Sequence, residues 1–219
     1  MTDSTLRLYD YPASCNCYKV RLLLSQLGRA YDRVPIDIFN GDTLTPAYAE
    51  LNPQRTTPVL QTPEGRYLTE SNAILIYLAV GTAFLPAEPI ELAEVARWLI
   101  FEQTDLVPMI GGLRFRLLTG RLSADDPDAV RRRAGGLEVL GLLENHLRGR
   151  EFMVAARYTI ADIAIYGYSH LAGEAGFDLT DWPSLRAWLA RVEQQPRYIE
   201  DVEPYGANAA AGLGQSIYR

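Results

Sequence analysis

The stretch that most constrains this chain is Tyr11 to Gly28, YPASCNCYKVRLLLSQLG. It begins as a polar, thiol-bearing loop and becomes an amphipathic helix. Val20, Leu23, Leu24 and Leu27 recur at the spacing of one apolar helix face. Just before it, Leu6-Arg7-Leu8-Tyr9 alternates as a short strand does. Small hydroxyl and thiol residues therefore stand where a strand hands over to a helix. The first N–H groups of that helix lack internal partners and carry partial positive charge. Such a place suits an anion, including a thiolate.

In chain order, strands are expected at residues 5–9 and 31–38 around a helix at 14–28. Thr45-Pro46 opens a short helix that ends near Asn52-Pro53. Val59-Leu60-Gln61, the turn Pro63-Glu64-Gly65 and Arg66-Tyr67-Leu68 read as a hairpin. Thr69-Glu70-Ser71-Asn72 then caps a further helix. This β-α-β-α-β-β-α segment defines a first domain over residues 1–80. Residues 81–89, GTAFLPAEP, break the pattern as a linker. Residues 90–219 read as a helical domain. It opens on a long helix from Leu92 to about Gly120 that Pro108 should kink. Helices over 131–147, 160–174, 183–195 and 197–202 follow, the first of these weakened by Gly135, Gly136 and Gly141. An irregular tail begins at Gly206.

The formal net charge of -6 over 219 residues argues against a nucleic-acid partner. No apolar run reaches the roughly 18 residues that a membrane span requires. Cys15 and Cys17 are the only cysteines, too close for an unstrained disulfide at a helix start, and read as reduced thiols of a cytoplasmic protein. His146 and His170 lack a second ligand type at useful spacing, so no metal is expected. Thr57-Pro58 is either a trans proline starting a strand or a cis bond that turns the Thr57 backbone outward toward an extended peptide ligand. Glu70-Ser71 either caps a helix or clamps the α-amino-acid end of a peptide-like ligand. An anion site near Ser14, backbone pairing at Thr57 and an amino-acid clamp at Glu70-Ser71 point together at one small peptide.

At these residues the chain resembles the glutathione transferase family. The landmarks are Asn52-Pro53 with Thr57-Pro58-Val59-Leu60, then Glu70-Ser71-Asn72-Ala73-Ile74, Phe152-Met153-Val154 with Thr159-Ile160-Ala161-Asp162, and Pro183 to Leu189. The resemblance is closest to the serine- or thiol-using theta, zeta and nu groups. It implies a thioredoxin-like N-terminal domain followed by an all-helical domain, with glutathione as co-substrate and a homodimer as the assembly. It also implies that Ser14 is the thiol-activating residue, with Asn16 beside it and Cys15 as rival nucleophile. It assigns glutathione binding to Thr57, Pro58, Val59, Glu70 and Ser71. Where relatives carry Gln, Lys or Arg two residues before the proline, this chain has Thr56, so Arg55 takes the glycine-carboxylate role. Glycine is frequent in the family at the position of Ala155.

The Ser14 hydroxyl can stabilise a thiolate by donating a hydrogen bond, with no base required. Cys15 would instead form a mixed disulfide with glutathione. Gln103, Leu106, Ile110 and Arg114 share one face of the long helix and line either a second-substrate cleft or the core. Thr159 and Asp162 read as a helix cap outside the site. The expected activity is attack of glutathione on a small electrophile, in detoxification, or exchange on a disulfide. A binding module without turnover and a glutathione-dependent isomerase are the alternatives.

Overall fold

The computed structural model describes residues 5–218. It divides into two compact units. One comprises the chain up to Leu78 together with everything from Ile199 onward; the other runs from Ala79 to Tyr198.

The first unit is built on a four-stranded sheet of β1 (Leu6–Asp10), β2 (Tyr31–Pro35), β3 (Val59–Gln61) and β4 (Tyr67–Leu68), in the order β2-β1-β3-β4. β1 pairs parallel with β2 and antiparallel with β3, with Tyr9 opposite Val34 on one side and Val59 on the other. Helices α1 (Cys15–Leu27), α2 (Pro46–Leu51) and α3 (Ser71–Ala79) complete a thioredoxin-like arrangement. Leu8, Val20, Leu24 and Leu60 have no accessible surface. Each such side chain contributes about 1.5–3 kcal/mol by leaving water. β2 stops at Pro35, three residues short of the expected end, and Ile36 donates its N–H to Asp10 O at 2.9 Å outside the strand.

The second unit is helical: α4 (Pro89–Phe101), a π-helical stretch (Glu102–Gly111), α5 (Gly112–Leu118), α6 (Pro127–Leu147), α7 (Ile160–Ser169) and α8 (Pro183–Glu193). Every residue of α7 is buried. Its start is fixed by a capping box in which Thr159 Oγ1 accepts from Ala161 N while Asp162 accepts the Thr159 N–H at 2.9 Å. The Asp162 carboxylate also takes the Trp188 Nε1–H and the Met153 N–H, each at 2.9 Å. Gly136 is no weakness in α6: a Cβ there would stand 2.3 Å from the Phe177 ring, so the two elements meet closely only over glycine.

Three expectations are corrected. Pro108 does not simply kink an α-helix. The chain from Glu102 to Gly111 widens into π geometry around it, an adjustment that accommodates an interrupted hydrogen-bond ladder. Residues 197–202 form no helix, because Arg197 adopts a left-handed backbone with φ 58° and breaks the run. The residues from Ile199 onward belong to the first unit, not the helical one. Tyr18 Oη donates to Ile199 O at 2.8 Å, and the buried Arg21 guanidinium binds Asp201 at 2.8 Å.

Candidate active site

Ser14 sits in extended backbone, φ -82° and ψ 119°, immediately ahead of α1. Its Oγ accepts the Cys17 N–H at 3.3 Å, and its carbonyl accepts the Tyr18 N–H at 2.9 Å. Burial alternates through this turn. Ala13, Cys15 and Cys17 point inward, whereas Ser14 and Asn16 are partly exposed on the same open side. Cys15 keeps 2% of its surface and Cys17 none. The Cys17 sulfur accepts the Tyr11 N–H at 3.4 Å, and burial, then the Asp10 charge, pushes its thiol up to about 12. It therefore stays protonated at neutral pH. Cys15 as rival nucleophile is corrected on the same ground: a thiol with so little surface does not meet a substrate sulfur.

Asn16 ties this turn to the next functional segment, since Ser71 Oγ donates to its Oδ1 at 3.2 Å. One turn on, the buried Lys19 ammonium donates to Asn72 Oδ1 at 3.1 Å. The start of α1 and the start of α3 are thus held side by side, and two sets of helix N-terminal N–H groups converge. Glu70, just ahead of α3, is exposed and left-handed, with φ 67°, and its carbonyl accepts the Ile74 N–H at 3.0 Å. A non-glycine residue in that region costs roughly 1–3 kcal/mol, a strain that tends to persist at functional positions. Ser71 itself is only 4% exposed, so α3 offers its backbone more readily than this hydroxyl.

The Thr57–Pro58 bond is cis. Thr57 is partly exposed, and among the described residues neither its N–H nor its carbonyl is paired. Pro58 and Val59 are buried beneath it and act as support. The loop ahead is held by the landmark Asn52 and by Tyr48, to neither of which the sequence assigned this role. Tyr48 Oη and Asn52 Nδ2 donate to Thr56 O at 2.8 and 2.9 Å, and Asn52 is 1% exposed. Asn-Pro at 52–53 is the signal that could have found this brace. Arg55 has a left-handed backbone, φ 59°, and one arm of its guanidinium donates to Leu44 O at 2.9 Å. Its remaining donors are the ones a carboxylate would use.

A second unanticipated feature lies behind the Ser14 turn. Asp10, at the end of β1, is fully buried and binds Arg21 at 2.6 Å through one oxygen and Arg33 through the other. Arg21 also reaches Pro12 O and the Asp201 carboxylate. These charges fix the entry to the loop.

In the helical unit, Leu106 and Ile110 have no accessible surface and Arg114 keeps 3%. Arg114 Nε binds Glu174 at 2.5 Å, and Gln103 is exposed and donates to Glu102 at 2.7 Å. The reading of these four as a substrate-facing row is corrected in favour of core for the three buried ones. The π-helical turn, bonded at i to i+5, is wider than the 3.6-residue turn from which that row was drawn. His146 and His170 each bond a backbone carbonyl, Met153 O at 2.9 Å and Tyr166 O at 2.7 Å. Among the described residues no group of three or more His, Cys, Asp or Glu is placed to hold a metal ion, and no helix is long and apolar enough to cross a membrane.

A thioredoxin-like unit with an open polar turn at the start of α1, in one chain with a separate helical unit, defines a class that comparison with known proteins makes specific. Residues 8–80 match the glutathione S-transferase N-terminal domain and residues 102–196 the glutathione S-transferase C-terminal domain. A glutathione S-transferase from Pseudomonas fluorescens Pf-5 is similar in structure, with TM-score 0.88 and 39% identity over 91% of this chain and 100% of that one. A glutathione transferase from Pseudomonas putida, solved with one glutathione disulfide bound per subunit, has TM-score 0.79 and 30% identity over 89% of each chain. A maleylacetoacetate isomerase from Rhizobium meliloti is 33% identical over 85% of this chain and 90% of its own length. The chain belongs to the glutathione S-transferase family.

Proposed function

We propose that this protein is a glutathione transferase that binds glutathione against the Thr57 loop leading into β3 and activates its thiol at Ser14. The observation that carries this reading is the partly exposed pair Ser14 and Asn16, tied to the start of α3 by the hydrogen bond from buried Ser71, with the unpaired backbone of Thr57 in the same unit. The Thr57 N–H and carbonyl pair with the cysteinyl residue as an added strand would. Glu70 takes the γ-glutamyl ammonium, and the first N–H groups of α3 take its carboxylate. Arg55 takes the glycine carboxylate. Ser14 donates to the sulfur, and the N-terminus of α1 adds positive potential. The thiol proton leaves to solvent, and the thiolate attacks an electrophilic carbon and displaces its leaving group, or attacks a disulfide sulfur. Neither step needs a metal or a general base.

A glutathione-dependent isomerase is the second reading, favoured by the identity with the Rhizobium meliloti enzyme. The thiolate would add to a conjugated double bond of the substrate, the resulting single bond would rotate, and elimination would re-form the double bond and expel the thiolate. The protein acts as a homodimer in the cytoplasm, which light scattering and fractionation check. The deciding test is turnover of 1-chloro-2,4-dinitrobenzene, an aryl disulfide and maleylacetoacetate with glutathione, alongside calorimetry of glutathione binding. Binding without turnover of any of the three makes the protein a glutathione-binding module. No heat at millimolar glutathione refutes the reading altogether.

A further inference from the structure

The segment from Ile199 onward lies outside both matched family domains, yet it is built into the thioredoxin-like unit as a strap. At its root, Glu203 donates its N–H to Pro12 O at 3.3 Å, and Arg21, held by Asp201, donates to the same carbonyl at 3.2 Å. Farther along, the strap grips the loop after β2. Asn208 Nδ2 donates to Asp37 Oδ2 at 2.8 Å, and Gln215 donates its N–H to Phe39 O at 2.8 Å in a parallel bridge with Asn40. Gly214 permits that approach. It has φ 67°, and a Cβ on it would stand 2.5 Å from both Phe39 O and Asn208 O.

The gripped loop runs directly into the support of Arg55. The Asp37 N–H donates to Asp42 Oδ2 at 2.8 Å. The Gln215 side chain lies over Gly41, where a Cβ would stand 3.2 Å from its Oε1. Gly41 and Asp42 open the 3-10 turn Asp42–Leu44, which the Leu44 N–H closes on Gly41 O at 2.9 Å. Leu44 O, at the end of that turn, takes one arm of the Arg55 guanidinium at 2.9 Å. Among the described residues it is the one hydrogen-bond partner of that guanidinium. The path from the strap to Arg55 is therefore unbroken, through hydrogen bonds and a few residues of chain.

From this path we infer that the C-terminal strap is a positioning element for the glycine end of glutathione: it fixes the 37–44 loop, and through Leu44 O it holds Arg55 in place for the glycine carboxylate. The inference rests on the glutathione reading given above. An arginine carries its donors in a rigid planar fork, so a carboxylate is met well only when that fork is already oriented. The strap acts on affinity through Arg55 alone, and its loss is felt only by ligands that carry the glycine carboxylate.

Two full-length variants loosen the strap. Gly214→Ala drives a methyl group into Phe39 O and strains a backbone that L side chains rarely adopt. Asn208→Ala removes the bond to Asp37 and serves as the deciding variant if circular dichroism shows Gly214→Ala to be unfolded. Calorimetry compares glutathione with γ-glutamylcysteinamide, which lacks the glycine and its carboxylate. Charge-assisted bonds to a carboxylate are worth at least about tenfold in affinity, so Arg55→Met should weaken glutathione by that factor. The strap variant should weaken it about three- to tenfold, since apparent affinity scales with the fraction of chains that hold Arg55 in place. γ-Glutamylcysteinamide should bind every form alike, and in the Arg55→Met background the strap variant should cost glutathione nothing more. Unchanged glutathione affinity overturns the inference. So does an equal loss for both ligands, which marks general damage to the unit, and so does a loss that persists in the Arg55→Met background. In those outcomes the glutathione reading stands. If the parent chain takes up no glutathione, that reading fails and this inference fails with it.

Discussion

Replacing Ser14 with alanine separates the cap from the chemistry, because one oxygen serves both. As an N-cap, Ser14 accepts the Cys17 N–H at 3.3 Å, and losing it costs about 1 kcal/mol. For a chain of this size that lowers the melting temperature by about 2–4 °C, too little to unfold it. As a donor to a thiolate, the hydroxyl supplies a charge-assisted bond of roughly 1.5–3 kcal/mol, which corresponds to one or two pKa units. If it brings the bound thiol from about 8.5 to about 7, the thiolate fraction at pH 6.5 drops on mutation from about a quarter to about one per cent. The assay is the pH dependence of kcat/KM for conjugation of 1-chloro-2,4-dinitrobenzene, with glutathione affinity measured by calorimetry. The acid limb should move up by one to two units, and the rate at pH 6.5 should fall at least about tenfold, while the two enzymes converge above about pH 9. Glutathione affinity should hold to within about threefold, since Thr57 and the clamp at Glu70 remain. An acid limb that stays where it was, with rates intact, refutes the role of Ser14. A uniform loss at every pH would mean that only the cap mattered.

Other outcomes follow from the same geometry. Neither cysteine should react with an aromatic disulfide reagent in the folded protein at pH 8, and both should react after denaturation; a fast native thiol would show Cys15 to be accessible. Arg21→Met strands Asp201 and leaves Asp10 with Arg33 alone, so urea titration should show a loss of about 3–5 kcal/mol. Burial pushes the His170 imidazole from 6.5 down to about 4, with Arg114 lowering it further and Glu174 opposing. The unfolded ring takes a proton near pH 6.5 that the folded ring refuses. Stability is therefore full above pH 6.5 and declines as pH falls toward 4, by up to about 3 kcal/mol. His170→Gln should flatten that part of the curve, as read by thermal melts between pH 7 and pH 4.

How much of this was legible in sequence depends on how local the cause was. Ser14, the row Val20, Leu23 and Leu24, and Gly28 at the other end made α1 readable, because cap, periodicity and stop lie within fifteen residues. Thr45-Pro46 and Thr159 to Asp162 were legible for the same reason. The inward turn of Cys15 was not, since nothing in a C-x-C spacing says which residues of a turn face the sheet. Nothing local marks Arg21; only the fold brings Asp10 and Asp201 to it, the latter from 180 positions away. The π-helical segment was misread because residues 103 to 110 were measured with a 3.6-residue ruler that the chain abandons from Glu102 to Gly111. The tail looked featureless by composition, and its order comes from contacts with the Phe39 loop.

Asp201 has one more implication, for synthesis. The sheet, α1 and the Ser14 turn leave the ribosome before the helical unit, but the counter-charge for a guanidinium sealed inside them is encoded after that whole unit. Until that carboxylate arrives, Arg21 holds Asp10 without its second anion, and the nascent unit waits in a less stable form. Manufacture of that portion is therefore completed by one made well after it, and a messenger cut short after the helices would yield a protein flawed far from the cut.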